Sequence, residues 1–253
     1  RVRDKNDSTA EAVYQPTVTQ VIPTSTDATS TGPQGIPQSG TPAFTPGDSA
    51  VPIDMDSPMT FEDGQPKKTV QGVGEYTINS DGSVTFTPEK QFVGKPDRVT
   101  VKRVDKNGTP VTATYSPEFV KVTPTGKDAS STNIKGHVQT GKPVFEAGDP
   151  LIPIDETIAP SFEDGSKEKT IPGQGTYTIA PDGAVTFTPE ADFLGQGTGV
   201  TLVRRDKNGT SVTARYVPTV VAPSTSQDSV SSGRKGQAQT GTPTFEGAID
   251  QAV

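Results

Sequence analysis

The chain repeats itself at a spacing of 101 residues, and no other feature of the sequence limits its possible folds so tightly. Phe61-Glu62-Asp63-Gly64 returns as Phe162-Glu163-Asp164-Gly165. Val84-Thr85-Phe86-Thr87-Pro88-Glu89 returns as Val185-Thr186-Phe187-Thr188-Pro189-Glu190, and Asp105-Lys106-Asn107-Gly108-Thr109 as Asp206-Lys207-Asn208-Gly209-Thr210. About half of the aligned positions are identical, which marks tandem copies of one unit. The ends carry partial copies. Asp4-Lys5-Asn6 through Val13-Tyr14 matches the close of a repeat, and Gly241-Thr242-Pro243-Thr244-Phe245 matches the opening Gly40-Thr41-Pro42-Ala43-Phe44. The expected organisation is therefore the end of a preceding repeat (1–22), full repeats at 23–123 and 124–223, and the start of a following one (224–253). A chain that starts mid-pattern is expected to have any export signal or anchor outside this segment.

Within each copy the apolar period is two. Tyr76 and Ile78, Val84 and Phe86, Val99 and Val101, and Val111, Ala113 and Tyr115 alternate with threonine or other polar residues. Alternating β-branched and aromatic residues specify strands with one buried face. Asp81-Gly82 and Asn107-Gly108 fall between such runs as hairpin turns, because glycine tolerates the positive φ required there. Pro88, lacking an N–H, is expected to stop the strand before it. No helical periodicity appears. Short strands at regular spacing, with 26 Gly and 24 Pro in 253 residues, predict an all-β fold. Its form would be tandem immunoglobulin-like β-sandwich repeats of about 100 residues. A unit of this length can close its own core, unlike the 20–45-residue units of a solenoid.

The expected core of the first full repeat is Ile53, Phe61, Val70, Tyr76, Ile78, Val84, Phe86, Phe92, Val99, Val101, Val111 and Tyr115, with equivalents in the second. With 29% of residues hydrophobic and no Trp, such repeats are expected to fold independently but with a modest margin. Thr/Pro/Ser-rich stretches at 17–38, 120–139 and 220–239 separate the copies. They read as linkers, or as linkers plus a first edge strand.

The order of these motifs resembles the CshA-type fibril repeat of streptococcal cell-wall-anchored adhesins. The resemblance rests on Gly74-Glu75-Tyr76-Thr77-Ile78, Asp81-Gly82-Ser83-Val84-Thr85-Phe86-Thr87-Pro88, Phe92-Val93-Gly94 and Asp105-Lys106-Asn107-Gly108-Thr109. The opening Gln38-Ser39-Gly40-Thr41-Pro42 and Val51-Pro52-Ile53-Asp54 also fit, so it spans essentially the whole chain. It implies a secreted, cell-wall-anchored fibril in which repeats form the stalk. An N-terminal region outside this segment would contact host matrix protein such as fibronectin, and a C-terminal signal would join the fibril to peptidoglycan. The absence of cysteine agrees with a Gram-positive surface protein and excludes a disulfide framework. Departures are small: Asp7 stands where the other copies have the turn glycine, and Lys95 to Arg98 differs from the Gly-rich Gln196 to Gly199.

Chemistry-bearing residues are sparse. A formal charge of −7 opposes nucleic acid and anionic membranes as partners. His137 is the sole histidine and has no counterpart in the other copy, where Ile36 stands. A triad or histidine metal site would need more. Glu62-Asp63 and Glu163-Asp164 precede a glycine and read as turns, since adjacent strand carboxylates face opposite ways. Asp48, Asp54 and Asp105, with Asp149, Asp155 and Asp206, are the nearest thing to calcium ligands, but no calcium loop is present and Asp105 reads as a turn residue. Gly72 with Gly74, and Gly173 with Gly175, lack the third glycine and the helix of a nucleotide motif. Asn107-Gly108-Thr109 and Asn208-Gly209-Thr210 are formal sequons that read as turns. Lys68 and Lys169 recur, but the recurring asparagine that a lysine–asparagine cross-link would need lies in the hairpin turn. No catalytic, cofactor or metal site is expected, and no enzyme activity. Two functions remain: a monomeric stalk segment whose partners are adjacent repeats of the same chain, or repeats that bind host matrix protein, glycan or neighbouring fibrils multivalently. An aromatic exposed in both copies would favour the second.

Overall fold

A computed structural model of the chain describes residues 1–246, and every regular element in that span is a strand. The part of the following partial copy expected at 247–253 lies outside the described residues. Contacts divide the chain into two compact units: one of Arg1–Gly32, Pro37–Glu89 and Gly94–Phe119, the other of Pro33–Ile36, Lys90–Val93 and the chain from Val120.

The first repeat contains β1 (Ala28–Pro33), β2 (Gln38–Gly40), β3 (Thr60–Phe61), β4 (Lys67–Val70), β5 (Gly74–Ile78), β6 (Val84–Pro88), β7 (Val99–Val104) and β8 (Pro110–Val120). One sheet has the order β2-β6-β5-β4 and the other β1-β8-β7-β3. The two inner faces meet in a sandwich core. Tyr76, Val84, Phe86, Val101 and Tyr115 lose all contact with solvent. Their rings interlock: Tyr76 lies 4.3 Å from Phe86, and 6.2 Å from Tyr115 edge-on. Both are geometries that aromatic quadrupoles favour. Thr77, Thr85 and Thr87 take the opposite face of the same strands, as a period of two demands.

The second repeat follows the same plan with β9 (Ala129–Ile134), β10 (Gln139–Gly141), β11 (Ser161–Phe162), β12 (Glu168–Ile171), β13 (Gly175–Ile179), β14 (Val185–Pro189), β15 (Gly195–Gln196), β16 (Val200–Arg205) and β17 (Ser211–Val221). Its sheets run β10-β14-β13-β12 and β9-β17-β16-β11, with β15 added against β17. Phe162, Tyr177, Phe187, Leu202 and Tyr216 form its centre.

Two local expectations need amending. Of the two readings of the Thr/Pro/Ser-rich stretches, the one with an edge strand is correct. β9 and the start of β10 fall within 120–139, and only residues 121–124 separate β8 from the next strand, Thr125–Lys127. The polar residues there form an edge strand, which needs backbone pairing more than apolar cover. Val70, Ile78 and Phe92 are half-buried, whereas Met59, Ala113, Phe119 and Val122 join the core. Val70 ends the edge strand β4, where one side has no neighbour. Beside the departure at Gln196 to Gly199, the second copy adds the short strand Gly195–Gln196, which pairs with Val220 and Thr219.

Candidate functional site

Each residue singled out from the sequence has a definite place, and none joins a reactive constellation. His137 is exposed in the turn after β9, its Nδ1 3.2 Å from the Lys135 carbonyl oxygen. Glu62-Asp63 and Glu163-Asp164 lie in turns closed by Gly64 and Gly165, both at φ 81°. Asp63 and Asp164 accept the backbone N–H two residues on, from Gln65 and Ser166. Gly72 and Gly173 turn the chain between β4 and β5 and between β12 and β13. Lys68 is exposed on β4, and Lys169 approaches Asp164 at 3.9 Å. Among the described residues, no three His, Cys, Asp or Glu side chains gather to hold a metal ion.

Asp48 and Asp149 each accept the backbone N–H two residues on, from Ala50 and Leu151, and the other aspartates divide into two kinds. Asp105 and Asp206 are 1% exposed. Oδ1 of Asp105 accepts N–H groups from Asn107 and Thr109 at 2.9 and 2.8 Å. Asp206 does the same with Asn208 and Thr210. Asp4 accepts from Asn6 and Ser8 in the leading partial copy. The aspartate therefore organises the hairpin, and the positive φ falls to Gly108, Gly209 or, uniquely among the described non-glycine residues, Asp7 at 67°. In both buried copies the other carboxylate oxygen, Oδ2, has no partner. Asp54 and Asp155 are the second kind, each paired with a lysine from the hairpin, Lys106 at 2.5 Å and Lys207 at 2.6 Å. The hydrogen bond from Lys106, then that from Ser57, lowers the Asp54 carboxyl from its ordinary 3.8 to about 2. Lys207, then Thr157, does the same for Asp155, also to about 2. These aspartates stay charged and tie the loop before β3 or β11 to the hairpin.

Several polar bonds gather at the seam between the first and last strands of the sandwich. β9 and β17 run parallel, with Ala129 opposite Tyr216 and Ile134 opposite Val221. The Arg215 N–H donates to Asp128 Oδ1 at 2.7 Å, just before the pairing begins. Lys135 N–H donates to the Val221 carbonyl at 2.8 Å, just after it ends. Between them the Tyr216 and Ser131 hydroxyls meet at 2.6 Å, and Gln139 Nε2 donates to the Thr219 carbonyl at 3.0 Å. In the first repeat Asp27 accepts from Thr114, Ser30 meets Tyr115, and Gln38 donates to the Glu118 carbonyl. Burial pushes the phenol of Tyr216 up, with Ser131 partly opposing it, so the hydroxyl remains a neutral partner. Reading the sequence for chemistry misses this seam. Its signal was the recurrence of Asp27, Ser30 and Gln38 as Asp128, Ser131 and Gln139 inside stretches that read as spacers.

The comparisons with known proteins agree with the repeat. The model of the surface adhesin CshA repetitive domain matches residues 20–119 and 121–220. Repeat domain 13 of the fibrillar adhesin CshA from Streptococcus gordonii, solved by NMR, is 71% identical over 28% of this chain and 90% of its own, with a TM-score of 0.17. The I9–I11 tandem of titin is 10% identical over 79% of this chain and 65% of its own, with a TM-score of 0.33. Repeats EC22–24 of mouse cadherin-23 give 11% identity over 80% of this chain and 65% of their own, with a TM-score of 0.31. No curated protein matches the chain. With two tandem matches to the family model across most of its length, the chain belongs to the surface adhesin CshA repetitive-domain family.

Proposed function

We propose that the chain is a spacer segment of a bacterial surface fibre, holding an adhesive region, carried elsewhere in the protein, away from the cell wall. One observation carries this reading. Among the described residues no aromatic side chain is exposed in both full copies; Phe61, Tyr76, Phe86, Tyr115 and their equivalents all face inward. Protein-binding surfaces concentrate their energy in accessible aromatic and arginine anchors. The exposed strand arginines Arg205 and Arg215 of the second copy have no counterpart in the first, where Val104 and Thr114 stand. The adjacent repeats are the segment's own partners, and host matrix contacts belong to the other region.

The multivalent alternative has one supporting observation: Val93 and Leu194, at equivalent positions, are 44% and 49% exposed. Lone aliphatic side chains fall short of the few hundred Å² of contiguous apolar surface that usually marks an interaction site. The test presents the purified 253-residue chain, free and clustered on beads, to fibronectin, host cells and other bacteria. No saturable binding is expected in either form. Binding that rises steeply with clustering would replace the spacer by an adhesive repeat.

A further inference from the structure

We propose that β9 and β17 form a shear clamp that sets the force a repeat withstands, an inference that rests on the spacer reading. A chain under tension loads the sandwich through the first and last strands of its two sheets, here β9 and β17. These two strands are hydrogen-bonded to each other, in parallel, through six registered positions. Tension drawn from before Ala129 and from after Val221 therefore slides them past one another along their own length. A parallel ladder has evenly spaced bonds, so all of them are strained together and must fail together. Antiparallel terminal strands drawn the same way would open from one end, bond by bond.

The polar groups on the seam resist the same displacement. The Asp128 contact to Arg215 and the Lys135 contact to Val221 bracket the ladder, the Ser131–Tyr216 bond crosses it, and Gln139 of β10 bridges its two sides by accepting from Ser131 and donating to Thr219. On its other side β17 is held by six pairs to β16 and two to β15, so the load falls on the β9 seam. Upstream, Thr125–Lys127 pairs with Val144–Glu146 over only three positions. That ribbon yields first, as a short extension that leaves the sandwich closed. β1 beside β8, with Asp27, Ser30 and Gln38, repeats the arrangement in the first copy.

The absence of cysteine makes single-molecule attachment specific. One doubly substituted chain carries Lys121→Cys and Pro223→Cys, another Lys121→Cys and Ser211→Cys, all at exposed positions. The first is pulled across the seam in shear. The second draws both strands from the same end, since Ser211 begins β17, and peels them. At one loading rate the shear geometry is expected to need severalfold higher force to open the second repeat, because forced opening follows the unfolding barrier along the direction pulled. Asn133→Pro removes a backbone donor two residues before that of Lys135, on the side facing β17. It is expected to lower the shear force and leave the peeling force alone. Should that variant not fold, the two attachment geometries decide the matter alone. Equal forces in the two geometries, or a larger one in peeling, overturn the clamp while leaving the spacer reading to its own bead assay.

Discussion

At the scale of single residues, the hairpin aspartate is the most demanding position. Asp206 gives one carboxylate oxygen to two backbone donors and leaves the other buried without a partner. Removing the acceptor orphans the donors, which costs roughly 1–3 kcal/mol. Asp206→Ala is thus expected to lower the urea midpoint of the second repeat clearly. Asp206→Asn keeps an acceptor and discharges the buried oxygen, so it should cost less; equal losses would show that the hairpin depends on the charge. The paired aspartates act through their charge. Asp54 and Asp155 are held at about 2, below their ordinary 3.8. A folded-state value below the unfolded one gives stability that is present above about pH 4 and lost as pH falls towards 2. Melting temperature is expected to drop through that window, and Lys207→Met should flatten the drop for the second repeat.

Among the elements, β10 shows how closely the two layers approach. A Cβ on Gly141 would sit 2.2 Å from the Tyr216 ring, and one on Gly40 would sit 2.4 Å from Tyr115. Neither tyrosine can withdraw, since each is fully buried. Gly141→Ala is expected to destabilise the second repeat by about 1–3 kcal/mol, the usual cost of overpacking, readable as a lower melting temperature with the first repeat unchanged. Strand existence and facing were legible in the sequence because period two leaves one solution for residues such as Tyr76, Val84 and Phe86. The first strand of each repeat was legible only as one of two readings. Ala129-Ser130-Ser131-Thr132-Asn133-Ile134 carries almost no apolar alternation, since an edge strand is held by backbone bonds and by Ser131 and Asp128. Polarity there reads as spacer unless the recurrence of those polar identities is weighed as heavily as that of the aromatics.

Over the whole molecule, order should follow burial. The amides of β5, β6, β13 and β14, whose alternate side chains lie in the two cores, are expected to exchange slowest with deuterium. The ribbons Val2–Arg3 with Thr9–Ala10, and Thr225–Gln227 with Thr244–Glu246, are exposed at every residue and two strands wide. Two-stranded ribbons are marginal in water, so fast exchange is expected there. Uniformly fast exchange across Tyr76 to Phe86 would instead mean that the sandwich is not stably folded. The length of the repeat has a further consequence. Its longest strand has 11 residues, about 37 Å at 3.4 Å per residue. The 100 residues at 121–220 drawn straight would reach about 330–360 Å. One opened repeat therefore supplies close to ten times the reach of its folded height, and a string of such units meets a sudden tug by lengthening in steps, with slack that is taken up again when each sandwich closes.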